Sequence, residues 1–133
     1  MSVIESVLAE VLRIAGTISP APYATIRTGA LPADNGLCMA PSPAAAITRH
    51  LDLGAEYGIV CTLNGKHADQ YTLSDTLNRI HEKLTQNKVF NTVSGAQITH
   101  VETVSAPGYI GREDSGQWLY GSSVRIKFYY RKV

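Results

Sequence analysis

The stretch from Gln117 to Arg131 alternates with a period of two. Val124, Ile126, Phe128 and Tyr130 fall on one parity; Arg125, Lys127, Tyr129 and Arg131 fall on the other. Successive side chains of a strand point to opposite faces, so this register dictates a strand with one face in a core and one in water. Such a strand needs neighbours in a sheet and a second layer over its apolar face. The rest of the chain has to supply both.

Two segments can form that layer. In residues 2–15, Val3, Ile4, Val7, Leu8, Val11, Leu12 and Ala15 recur at helical spacing. Ser2 and Glu5 form a capping-box pair, and Gly16 suits the C-terminal cap. Residues 73–86 carry Leu73, Leu77, Ile80 and Leu84 as one stripe, with Thr72 or Ser74 as candidate caps. Asp75, Arg79, Glu82 and Lys83 fall on the opposite, solvated side.

Between residues 17 and 45 lie five of the six prolines: Pro20, Pro22, Pro32, Pro41 and Pro43. Each removes a backbone donor and fixes a dihedral, so helix is excluded. Extended pieces are expected at Tyr23–Arg27 and Gly36–Ala40, with a loop at Thr28–Gly36 and a stop at Ala40-Pro-Ser-Pro43. Residues 46–64 read as extended, with Ile47, Arg49, Leu51 and Leu53 on one parity. The apolar run Ile59-Val60-Cys61 within Tyr57–Leu63 predicts a central strand covered on both faces, and Asn64-Gly65 predicts a turn. Residues 96–106 read as a strand with Ile98, His100, Glu102 and Val104 on one parity, ended by a Pro107-Gly108 turn. Residues 109–117 then form a polar hairpin or loop. The order helix, strands, helix, strands defines an α+β class: a mostly antiparallel or mixed sheet with both helices on one face. At 133 residues this is one domain, 1–133. A composition of 44% hydrophobic and 17% charged residues excludes a disordered chain.

Chemistry is nearly silent. His50, His67, His81 and His100 show no metal-ligand spacing, and His67-Ala-Asp69 lacks a third ligand. His81 reads as helix surface. Cys38 and Cys61 sit among apolar residues and read as buried thiols; a Cys61–His100 pair across adjacent strands is the one nucleophilic arrangement to test. Glu113-Asp114 beside Arg112 reads as a solvated turn. The glycines are dispersed and precede no helix, so no phosphate cradle is indicated. No cofactor, metal or catalytic residue is expected. A net charge of +1 excludes a broadly basic nucleic-acid or membrane binder. No apolar run approaches the roughly 18 residues of a bilayer span. The N-terminus, with Glu5 and Glu10, lacks the basic start of a signal peptide, so a soluble, cytoplasmic protein is expected.

The charge asymmetry is local. Residues 115–133 contain Arg125, Lys127, Arg131 and Lys132 and no acid. Three readings compete: a nucleic-acid surface, a guarded edge strand, or a strip that meets an acidic partner protein. The last is preferred, with Arg125, Lys127, Tyr129 and Arg131 as the interface residues.

The run Gly116-Gln-Trp118-Leu-Tyr-Gly-Ser-Ser-Val-Arg125-Ile-Lys127-Phe-Tyr-Tyr-Arg131 resembles the final strand of small bacteriophage minor capsid and tail-completion proteins. The N-terminal amphipathic helix, the Pro-rich early segment and Leu-Ser-Asp-Thr-Leu-Asn-Arg-Ile at 73–80 fit the same family, which is similar to phage tail terminators. The resemblance implies an α+β subunit that forms a homo-oligomeric ring, commonly a hexamer. The ring would cap the tail tube and contact head-completion proteins. It would assemble in the bacterial cytoplasm and remain in the virion tail. The resemblance implies no enzyme activity, and it carries no catalytic residue; the four interface residues rest on alternation and charge alone. Loops 28–36 and 64–72 and the 107–117 hairpin are candidates for reaching a neighbour. The alternative is a small ligand-binding or enzymatic α+β domain with a pocket between sheet and helices, lined by His100, Glu102 and Tyr57.

Overall fold

The structure, a computed structural model, describes residues 3–41, 45–49 and 54–130. Its elements in order are α1 (Val3–Ala15), β1 (Ile26–Thr28), β2 (Gly36–Pro41), β3 (Ala45–Arg49), β4 (Ala55–His67), α2 (Gln70–Gln86), β5 (Ala96–Arg112) and β6 (Trp118–Tyr130). The six strands form one mixed sheet in the order β1-β2-β4-β6-β5, with β3 also paired to β4. β1 runs parallel to β2; the other pairs are antiparallel. β2 takes residues 61–66 of β4 and β3 takes residues 55–58, so the two share one long edge. Because β4 and β5 are both antiparallel to β6, they run parallel to each other with β6 between them. The β4–α2–β5 connection is therefore a split βαβ unit. This is the expected α+β class, with both helices on one face.

The core lies between that face and the helices. The α2 stripe of Leu73, Leu77, Ile80 and Leu84 is fully buried, at about 1.5–3 kcal/mol for each side chain. It meets Ile59, Cys61 and Leu63 of β4, Ile98 and Val101 of β5, and Val124, Ile126 and Phe128 of β6 within one cluster. Val7, Val11 and Ala15 of α1 close it from outside. Glu10 is also buried, and Arg13 grips it through two bonds of 2.7 and 2.8 Å while it accepts the Asn91 amide. α1 ends as expected near Gly16, whose amide bonds to Leu12, and Thr17 adds a hydroxyl bond to the Ile14 carbonyl. The Ser2 half of the capping box lies outside the described residues, as do His50, Leu51, Leu53, Pro43 and Lys132.

Several local expectations are corrected by long-range packing. Asn64-Gly65 is no turn: both residues lie inside β4, which continues to His67. A Cβ on Gly65 would stand 2.7 Å from Leu73 Cδ1 and 3.0 Å from Leu37 Cδ2, so the glycine is there for close approach of α2 and β2. β4 is central, but among the described residues only one of its faces is covered by helices; Thr62 is exposed and Val60 half-buried. α2 begins at Gln70 with Asp69 at the cap position, and Thr72 donates to the Asp69 carboxylate instead of capping. Pro107-Gly108 does not end the strand. β5 runs on to Arg112, and the turn is at Glu113–Gln117, closed by Gly116 N to Glu113 O and Glu113 N to Gln117 O. Pro107 is tolerated because β5 is an outer strand. The parity of β5 breaks between Ile98 and His100, where a bulge slips the register. Ile98 and Val101 are therefore buried while His100 faces out.

Candidate interaction site

β6 presents Val124, Ile126 and Phe128 to the core, as its alternation requires, and turns Arg125 and Lys127 to the open face of the sheet. It is flanked by β4 and β5 over most of its length. The basic residues therefore do not guard an edge, and that reading is corrected: strand order depends on long-range pairing. Arg125 stands between Val60 and Glu102, and Lys127 between Gly58 and His100.

Three of these side chains converge on Glu102. Lys127 Nζ lies 2.7 Å from Oε1, His100 Nε2 lies 2.9 Å from the same oxygen, and Arg125 is 3.8 Å from Oε2. The hydrogen bonds from Lys127 and His100 hold the Glu102 carboxyl down at about 2. One charge of the strip is thus spent inside the subunit. Arg125, its side chain 44% exposed, makes the longest of the three contacts. Tyr129 is half-buried on the same face, opposite Glu56 and Gln97. Arg131 lies outside the described residues. Cross-strand neighbours such as Glu102 were missed from sequence, because the Thr99 bulge decides which residue of β5 stands beside Arg125.

A second polar constellation sits at the end of the sheet where β4 meets the β5–β6 turn. Lys66, only 7% exposed, donates to both carboxylate oxygens of Glu113 at 2.9 and 3.0 Å. Asn35, at positive φ, donates its amide to Gln117 Oε1 and accepts the Ala68 amide on Oδ1. Three separate segments, 33–35, 66–69 and 113–117, are clasped together. Glu113 is therefore a paired group and not part of a purely solvated turn. Lys66 falls in the stretch 64–72 that reads as a loop, so no sequence signal pointed to it. Arg112 lies over the Trp118 ring at 4.7 Å.

The chemistry expected to be absent can be followed residue by residue. Cys38 and Cys61 are buried, and desolvation pushes both thiols up, Cys61 to about 12. Cys61 and His100 sit on strands separated by β6, and they face opposite sides of the sheet. His67 accepts the Asp69 amide on Nδ1, and no group of three or more metal-ligating side chains occurs among the described residues. His81 is corrected from helix surface to interior: it is 8% exposed and shares a 2.8 Å hydrogen bond with Thr103. The proposed pocket lining does not assemble. Tyr57 stacks on Phe128 on the core face, at a hollow of about 230 Å³ bounded by Val3, Ile4 and Tyr130. His100 and Glu102 are on the other face.

No family model matches the sequence, and no curated protein matches it. A solved structure does: a chain in the virion of a native gene transfer agent (GTA) particle, with a TM-score of 0.70 and 11% identity, over 96% of this chain and 98% of that one. At that identity the likeness establishes a shared fold across nearly the whole of both chains.

Proposed function

We propose that the chain is a non-enzymatic structural subunit of a phage or prophage tail, acting as tail terminators do. Copies would close into a ring, with six as the expected number, that caps the tail tube and contributes to head–tail joining. The observation that carries this reading is the fold shared end to end with a virion chain. The sequence resemblance noted above points the same way. Arg125, Lys127, Tyr129 and Arg131 would serve as interface residues, with the tube, head-completion proteins or another copy as partners. Assembly would take place in the host cytoplasm, and the subunit would stay in the virion. No described helix is long and apolar enough to cross a membrane. Nucleic acid is disfavoured, because Glu102 occupies Lys127 and leaves a small positive footprint. The pocket alternative loses support from the split of Tyr57 from His100 and Glu102.

The test is mass in solution by light scattering after size exclusion, over a wide concentration range and with isolated tail tubes added. A discrete species near six subunits, alone or on tubes, supports the reading. A strict monomer that ignores tubes at every concentration overturns it.

A further inference from the structure

Trp118 and Tyr120 share the parity of Val124, Ile126 and Phe128, and the pairing of β6 with β4 is unbroken, so both rings lie on the helix-covered face of the sheet. Yet α2 begins only at Gln70, whose side-chain amide donates to the Tyr120 hydroxyl at 2.6 Å. Trp118 and Tyr120 are therefore left half-buried. Tyr109 of β5, opposite Tyr120, stands edge-on to Tyr120 and to Trp118, with ring centroids 6.0 Å apart in each case. The three rings form a shelf on which Tyr109 is 59% exposed, and Tyr71, next to Gln70, is 86% exposed. The undescribed residues attach at the other end of the sheet. Residues 42–44 and 50–53 join positions that pair with or adjoin Ala55–Cys61, residues 1–2 precede Val3 beside Tyr130, and residues 131–133 follow Tyr130. Cys61 is six residues of strand from His67, the partner of Trp118, about 20 Å at 3.3 Å per residue.

The surroundings of the shelf suit a cation. Arg112 lies over the Trp118 ring, while among the described residues no cation lies over Tyr109 or Tyr120. The flanking segments 33–35, 66–69 and 112–117 hold Asp34, Asp69, Glu113 and Asp114 against Lys66 and Arg112. Lys66 is bound to Glu113. His67 accepts the Asp69 amide on Nδ1, Asp75 and Arg79 of α2 pair with each other, and Arg27 is on β1, at the opposite outer edge of the sheet. Asp34, Asp69 and Asp114 are exposed and form no ion pair among the described residues. We propose that this shelf docks an extended segment of a partner protein that carries lysine or arginine beside an apolar residue. The cation packs on the open Tyr109 ring, where a cation–π contact and the nearby carboxylates act together. The apolar neighbour covers ring surface of the kind that carries most of the binding energy at interfaces. The acidic flanks disfavour docking of the shelf on a second copy's shelf, and they repel the phosphates of a nucleic acid. The proposal rests on the virion reading only for which particle supplies the partner.

The experiment uses the full chain and a dye-labelled heptapeptide of alternating lysine and proline, which is extended and both cationic and apolar. A heptapeptide of alternating glutamate and proline is the control, and binding is read by fluorescence anisotropy. The lysine peptide should bind about tenfold or more tightly than the glutamate peptide, and about 0.5 M salt should weaken it. Tyr109→Ser should weaken it about fivefold or more, by loss of the ring face. Asp34→Lys with Asp114→Lys should weaken it about tenfold or more. All three positions are exposed, so both forms should melt like the wild type. Should Tyr109→Ser melt lower, Tyr109→Leu keeps the bulk, removes the ring face and takes its place. Asp69 is left alone because it holds Thr72. If the two peptides bind equally, or neither binds, the proposal is overturned. If Tyr109→Ser or the double lysine form binds the lysine peptide as wild type does, the shelf is not its site and the proposal is likewise overturned. Light scattering on the same samples reads ring formation separately. Rings without a peptide preference keep the ring reading and remove this surface. Peptide binding through Tyr109, with neither rings nor tube binding, keeps this surface and removes the ring reading.

Discussion

Lys66 and Glu113 form an ion pair across the end of the sheet, with Nζ 2.9 Å from Oε1 and the lysine side chain 8% exposed against 36% for the carboxylate. The lysine is the costly partner. Its ammonium has given up most of its water, and the carboxylate and the Ala33 carbonyl at 3.5 Å replace it. The carboxylate can return to solvent. The two residues should therefore respond unequally to removal of their partner.

Glu113→Gln strands the buried ammonium and should cost about 1–3 kcal/mol, below the full cost of breaking a buried pair because one partner is a third exposed. Lys66→Met keeps the stem's packing and frees a carboxylate that water can reach, so it should cost less. Urea unfolding of the two variants gives the order directly. Equal losses, or a larger loss for Lys66→Met, would show that the lysine is not the buried liability.

Two glycines of the sheet should differ sharply. A Cβ at Gly65 meets Leu73 Cδ1 at 2.7 Å and Leu37 Cδ2 at 3.0 Å, both in fully buried side chains. Gly65→Ala should lose about 1–3 kcal/mol by overpacking. A Cβ at Gly121 meets Asn64 Oδ1 and Ile110 Cδ1 at 2.6 Å each, but Ile110 is 62% exposed and can swing aside. Gly121→Ala should change stability by about 0.5 kcal/mol or less. Thermal melts side by side decide it.

His81 should make the fold acid-sensitive. Its Nε2 is bonded to Thr103, its Nδ1 has no hydrogen-bond partner among the described residues, and burial holds its pKa below the ordinary 6.5. Above pH 6.5 the ring is neutral in both states and stability is full. As pH falls below 6.5 the unfolded chain takes up a proton that the folded ring refuses, so stability drops until the folded ring protonates too. His81→Leu should flatten that part of the pH profile of Tm, leaving Thr103, which is exposed, to water. An unchanged slope between pH 7 and pH 5 would assign the acid sensitivity elsewhere.

What was legible in the sequence was local periodicity. The Leu73, Leu77, Ile80 and Leu84 stripe and the alternation of β6 each need only neighbours along the chain, and both are realised. Turn dipeptides misled at Asn64-Gly65 and Pro107-Gly108, where packing and an outer-strand position override local preference. The candidate site was half legible. The facing of Arg125 and Lys127 follows from parity, but β6's place between β4 and β5 comes from pairings far apart in sequence. Glu102 and the Asn35–Gln117 clasp join segments that no short-range pattern connects.

Glu102 offers the most direct reading of the strip. Lys127 and His100 bond its carboxyl and keep it ionised down to about pH 2, well below the ordinary glutamate value of 4.5. A carboxyl whose pKa falls on folding stabilises the folded chain at pH values above its unfolded pKa. That contribution disappears as pH falls from about 4.5 towards 2. Lys127→Met removes the largest cause and should raise the carboxyl midpoint, read by carbon-detected NMR titration of the Glu102 side chain. Arg125→Met, at a 3.8 Å contact, should raise it much less. Were the two variants to shift the midpoint equally, Lys127 would not be the residue that occupies Glu102, and Arg125 would lose its claim to be the outward-facing charge of the pair.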